Sequence, residues 1–259
     1  MINMKISVLS ENTAIDGFGA EHGLSLFIET ESLKILFDMG QSELFAENAE
    51  KLGIDLSEVD FAVLSHGHYD HGGGLAKFFE INGKAPVYMS PYAFEPHYNG
   101  REKYIGLDVS LKENPRIVFV GNRTEIAQGI TIYDCGENPE HEIDSAGLTL
   151  RVGDEFLPED FRHEQYLMIE ENGKRVLISG CSHRGIINIA ERFMPDILIG
   201  GFHFSKFPTD DVLRGYAEHL GESDTEYYTC HCTGTQQYEF MKKYMKKLGY
   251  LSAGQSVTV

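Results

Sequence analysis

The segment Ser65-His66-Gly67-His68-Tyr69-Asp70-His71-Gly72-Gly73-Gly74 follows directly on the apolar run Phe61-Ala62-Val63-Leu64. That juxtaposition constrains the chain more than any other feature. The apolar run reads as a buried strand. Three imidazoles and a carboxylate packed at its end have no packing rationale, because such groups are seldom buried without partners. They are ligand types that suit zinc, iron or manganese, and a strand end holds them on a stiff support with open space beyond. In an extended chain His66 and His68 point the same way, whereas Asp70 and His71 fall past the turn and can face a neighbouring ion. The spacing therefore predicts two divalent metal ions, zinc first, with manganese or iron as alternatives. The competing reading is a solvated polar loop.

The pattern H-x-H-x-D-H after an apolar strand resembles the metallo-β-lactamase fold superfamily, a set of mostly hydrolytic metalloenzymes. The resemblance implies an α/β fold, a four-layer αββα sandwich, spanning residues 1–259 as one domain. It also implies an Asp at the end of an early strand, and Leu33-Lys34-Ile35-Leu36-Phe37-Asp38 supplies one. Asp38 is expected to brace the ligand loop by fixing the orientation of ligating imidazoles. The alternative for Asp38 is a cap on a helix beginning near Gln41-Ser42-Glu43.

Composition allows this fold. With 259 residues, 42% hydrophobic and 11% aromatic, the chain can bury a large core. It has no apolar run of membrane-spanning length. Residues 1–10 read as a strand without the features of a signal peptide, which predicts a cytoplasmic protein. Cys135, Cys181, Cys230 and Cys232 have neither the density nor the spacing of a disulfide scaffold. Twenty-two Lys and Arg against 40 Asp and Glu give a net charge of −18, which argues against nucleic acid as a partner while leaving room for a local cationic pocket. A small anionic molecule is the partner expected; the oligomeric state is not legible.

Further along, Leu75–Glu80 reads as a helix and Ala85–Ser90 as a strand. A loop at about 91–115 follows, rich in aromatics and cations, where Tyr92, Phe94, His97 and Arg101 are candidates to grip a flat anionic substrate. The alternative is a surface excursion packed by its own tyrosines. Residues 161–169 and 175–179 form a predicted hairpin around Asn172-Gly173. In the superfamily a His or acid precedes the first strand of such a pair, and an acid or Cys touching the metals ends the second; His163 and Cys181 match those places. His183 could displace either of them, or transfer protons or contact phosphate beside Arg184 at a helix start near Gly185. A strand over 196–204 ends in His203, which should look into the same cleft. A strand ending at Glu226-Tyr227-Tyr228-Thr229-Cys230-His231 places His231 where the superfamily has its last metal ligand, with a helix from about Thr235.

The strings Gly180-Cys181-Ser182-His183, Gly200-Gly201-Phe202-His203 and His231-Cys232-Thr233-Gly234 resemble the dihydropterin ribofuranosylaminobenzene phosphate synthase-like branch over nearly the whole chain. The expected activity is a metal-dependent hydrolase acting on a small anionic, phosphorylated or pterin-like substrate. Asp70 would serve as ligand and proton acceptor, and His183 and His203 as proton donors or phosphate contacts. The alternatives are a dihydropterin-utilising transferase on the same metals, a di-iron redox protein, or a non-catalytic binder that keeps metals for structure.

Overall fold

The structure, a computed structural model, describes residues 4–136, 141 and 146–259. Two seven-stranded mixed sheets face each other. In spatial order, the first contains Ser256–Thr258, Lys5–Ser10, Ser25–Glu29, Lys34–Phe37, Phe61–Val63, Val87–Met89 and Ile117–Phe119. The second contains Leu248–Tyr250, Glu226–Thr229, Ile197–Gly200, Lys174–Ile178, Gln165–Glu171, Ile130–Asp134 and Arg123–Ala127.

The strands read as near-continuous apolar runs because both faces of each sheet are covered, and successive side chains alternate between two cores. In the first sheet Leu26, Ile28, Ile35, Phe37 and Val63 face inward, where they meet Leu167, Ile169, Val176, Ile178, Ile197 and Ile199 of the second. Phe27, Leu36 and Ala62 point the other way, onto Phe45 and Ala49 of the helix Leu44–Lys51 and Phe78 of the helix Leu75–Ile81. Tyr166, Met168, Leu177 and Leu198 pack outward onto the helices Ile186–Phe193, Asp211–Gly221 and Thr235–Met241. Three apolar layers between four layers of backbone make the αββα sandwich.

The first strand begins at Lys5, and residues 1–3 of the predicted one lie outside the described residues. The hairpin forms as expected, with Asn172 and Gly173 at φ 53° and 77°. The 91–115 stretch carries secondary structure of its own. Its strands His97–Asn99 and Lys103–Tyr104 join Leu148–Val152 and Glu155–Pro158 in a third, four-stranded antiparallel sheet.

The parallel strands place the chemistry. Lys34–Phe37 and Phe61–Val63 run parallel, as do Lys174–Ile178, Ile197–Gly200 and Glu226–Thr229. Asp38, His66, Cys181, His203 and His231 follow the carboxyl ends of these five strands, the end of an α/β sheet where ligands bind. Backbone strain gathers there too. Asp38, Ser182, His203 and His231 all adopt positive φ, a conformation that costs a non-glycine residue on the order of 1 kcal/mol or more.

Candidate metal centre

His66, His68, Asp70 and His71 all come from the turn after Phe61–Val63 and are buried, so the solvated-loop reading fails. The turn is held shut by Gly67, where a Cβ would collide with the carbonyl oxygen of Ala93. Gly180 has the same role opposite: a side chain there would strike Ser65 Oγ.

Asp38 is fully buried and does not cap the helix, which starts after Glu43. Its carboxylate accepts from Ser65 N–H (2.7 Å), Ser65 Oγ–H (2.7 Å) and His71 Nδ1–H (2.7 Å). Ser65 Oγ in turn accepts from His66 Nδ1–H at 2.8 Å. Across the site, His231 Nδ1–H donates to Asn12 Oδ1 at 2.7 Å. These bonds fix one tautomer in each ring and leave Nε2 as a lone pair, the arrangement that metal ligation requires. Nε2 of His66 and of His231 is buried with no hydrogen-bond partner among the described residues, and so are both ring nitrogens of His183.

Those atoms converge. His66, Cys181 and His183 each offer a donor atom within 4.8 Å of the others; so do His71, Cys181 and His231, and so do His22, Asp70 and His231. His71 Nε2 lies 3.2 Å from Cys181 Sγ, and His231 Nε2 lies 3.5 Å from Asp70 Oδ2. The rings of His66, His68 and His183 stand 4.6 to 5.0 Å apart by centroid. His203, partly exposed, sits 4.3 Å from His183.

Burial holds His66, His68 and His183 well below the ordinary histidine range, and pushes His231 down to about 4. Each is a neutral imidazole at pH 7. Burial also opposes the ionisation of Asp70, but the hydrogen bond from His22 and the neighbouring His71 and His231 rings outweigh it and keep the carboxyl well below its usual range. His71 runs the other way: burial lowers it, and the Asp38 carboxylate more than restores it. Burial raises the Cys181 thiol well above its usual value.

Besides Asn12 and Glu159, three more supporting residues were not legible in the sequence. Glu11 accepts from His231 N–H at 2.6 Å and from Tyr250 Oη–H at 2.7 Å. His22 donates to Asp70 Oδ2 at 3.1 Å from the site's rim. Glu164 is fully buried, which pushes it up to about 7 against the backbone N–H groups of His183 (2.9 Å) and Arg184 (2.8 Å) that it accepts from. Glu11 and Asn12 follow a strand end just as Asp38 does, a signal that could have flagged them.

The remaining predicted residues are dispersed. His163 is buried and its Nδ1 accepts from Gly67 N–H at 2.8 Å. His97 is fully buried, bound through Nδ1 to Glu159 at 2.7 Å, which keeps it from any open cleft. Phe94 is buried in the outer core against Phe119, while Tyr92 is exposed with the Arg162 guanidinium over its ring. Arg101 is exposed at the tip between two strands of the small sheet. Arg184 is buried and uses its guanidinium on the carbonyls of Asp160 and Gly136, both at 2.8 Å. Beside His203 opens a cleft of about 310 Å³ lined by Ala146, Ser205, Lys206, Phe207 and Pro208. All four cysteines are free, with Cys230 in the central core and Cys232 Sγ against the Cys181 carbonyl.

A family model described as "Metallo-beta-lactamase superfamily" matches residues 18–223. Among curated proteins, the uncharacterized protein MJ0448 of Methanocaldococcus jannaschii is 32% identical over 241 residues, covering 88% of this chain and 90% of its own. The 7,8-dihydropterin-6-methyl-4-(beta-D-ribofuranosyl)-aminobenzene-5'-phosphate synthase of the same organism is 28% identical, covering 98% of this chain and 96% of its own. Among solved structures, Tm1679, described as a metal-dependent hydrolase of the beta-lactamase superfamily, superposes with a TM-score of 0.86 at 32% identity over 99% of both chains.

Proposed function

From the premise that this chain belongs to the metallo-beta-lactamase superfamily, we propose that it is a metal-dependent hydrolase of a small anionic substrate, using two divalent ions. The observation that carries the reading is the set of buried imidazole nitrogens left without partners among the described residues: Nε2 of His66 and of His231, each opposite a fixed Nδ1, and both ring nitrogens of His183. Burying an unpaired polar atom costs roughly 1–3 kcal/mol, so a set of them facing one another is a site that a cation completes.

His66, His68 and His183 would hold one ion, and Asp70, His71 and His231 the other, with Cys181 between them. The bond from Gly67 N–H to His163 Nδ1 supports leaving His163 out, because it puts the ring's hydrogen on Nε2. The near-equal spacing of the His66, His68 and His183 rings supports taking His183 instead. Zinc suits the imidazole, carboxylate and thiolate donors, with manganese or iron as alternatives.

Ions of this kind lower the pKa of a water and oppose the charge that develops on the attacked group. The chain's residues do the rest. His203, at the rim and against His183, is placed to give a proton to a leaving group. Lys206 and the cleft beside His203 offer a cation and an open wall for an anionic substrate. Glu164 holds the His183–Arg184 backbone, and the Asp38–Ser65 pair holds His66 and His71.

A panel of phosphodiester, phosphomonoester, lactone and β-lactam reporters, run before and after metal removal, tests this. Metal-dependent turnover of one ester class supports it; metal-replete protein inert to all classes contradicts it. The full-length similarity to the dihydropterin-utilising synthase favours a second reading, group transfer at the same residues. That reading predicts condensation of a dihydropterin diphosphate with an aromatic amine, the new C–N bond replacing the C–O bond to the diphosphate, which leaves with the amine proton, where hydrolysis fails.

A further inference from the structure

His68, His97, Glu159 and His163 are all buried, and each offers a donor atom within 4.8 Å of the others. Among the described residues, His68 Nε2, His97 Nε2, Glu159 Oε1 and His163 Nε2 have no hydrogen-bond partner. The His97 and His163 rings stack at 4.0 Å and 16°. We propose that this polar chamber holds a single buried water that fixes the ring of His68, making His97, Glu159 and His163 positioning residues for the metal centre. The inference rests on the reading of His68 as a metal ligand.

The hydrogen inventory selects water. His97 Nδ1–H donates to Glu159 Oε2 at 2.7 Å, so His97 Nε2 is a lone pair. Glu159 Oε1 accepts as well. His163 Nδ1 accepts from Gly67 N–H, so His163 Nε2 carries a hydrogen. His68 Nε2 is buried without a partner among the described residues. In the proposed arrangement it turns to the chamber, which leaves Nδ1 to face a metal and the hydrogen on Nε2. Two donors and two acceptors meet, which is the complement of one water molecule. A cation would need four lone pairs and finds two.

The spacing agrees. A tetrahedral zinc ion about 2.0–2.1 Å from each ligand keeps ligand atoms about 3.4 Å apart, close to the 3.2 Å and 3.5 Å pairs of the main centre. In the chamber, His163 Nε2 and Glu159 Oε1 are 4.0 Å apart. Partners of a hydrogen-bonded water stand about 4–5 Å from one another.

The Glu159→Gln variant tests the inventory without changing volume. Whichever way the amide turns, the chamber gains a third donor: either the amide NH₂ faces inward, or it faces His97 Nδ1 and forces that ring to move its hydrogen to Nε2. The binding of one ion should weaken about 10–100-fold by chelator competition while the other is unchanged. Unchanged binding of both overturns the proposal. Crystals of the zinc-loaded wild-type chain give a second reading, independent of how the variant folds. Expected is a peak without anomalous signal within hydrogen-bond distance of the four atoms. An anomalous peak in the chamber, or an ordered ion beside His68 with no ordered water behind it, overturns the inference alone. No ion beside His68 overturns the metal assignment with it.

Discussion

At the residue scale, the site depends on which nitrogen of each histidine carries the hydrogen. Asp38 settles this for His71 directly and for His66 through Ser65. Asp38→Asn replaces an acceptor with a donor in a fully buried network, so metal affinity should fall roughly 10–100-fold in a chelator competition while the fold persists. His183→Ala should leave one ion per chain by elemental analysis and lower turnover by about 100-fold or more. Retention of two ions would return the ligand role to His163. The thiols offer a separate check. Burial pushes Cys135 up to about 11 despite the opposing charge of Arg184, so it should resist a thiol reagent at pH 8 for hours in the native chain and react in minutes once unfolded. His66, His68, Asp70, His71 and Asp38 were legible because they adjoin apolar strands. Glu159 and Glu164 were not, because their partners, His97 and the backbone of His183, reach them only through tertiary packing.

At the element scale, the carboxyl ends of parallel strands do the positioning, and glycines let the turns approach. Gly67→Ala drives a methyl into the Ala93 carbonyl, and neither backbone can yield without moving His66 or His68. It should cost on the order of 2–3 kcal/mol in urea unfolding and reduce metal content, whereas an alanine at Gly83, which meets open space, should do neither. The strands around the site could be read in advance because each is a short apolar run closed by glycine or a polar residue, and the hairpin because Asn172-Gly173 suits the left-handed backbone of a tight turn. The small sheet could not. Its strand His97–Asn99 pairs with Leu148–Val152 across some fifty residues, and nothing in the local pattern of either segment encodes that register.

At the scale of the whole molecule, the sandwich keeps a cluster of neutral imidazoles dry, which links stability to pH. His66, His68, His163, His183 and His231 are all shifted down by burial, His231 to about 4. Each takes up a proton more readily unfolded than folded. Their contribution is therefore complete above about pH 6.5 and is lost progressively as pH falls below it. Glu164, raised to about 7, opposes this over the upper part of the range. The urea midpoint of metal-free protein should fall steeply between pH 6.5 and 4; a flat profile would contradict the burial of neutral imidazoles. Among the described residues no helix is long and apolar enough to cross a membrane. Bound metal should raise stability by mass action, about 2.7 kcal/mol at a hundred times the dissociation constant. The most direct test of the account is to titrate zinc or manganese into metal-free protein while following both bound metal and hydrolysis of the best reporter. Hydrolysis should rise to a plateau at two equivalents per chain. A plateau at one, or two bound ions with no hydrolysis of any reporter, would contradict it.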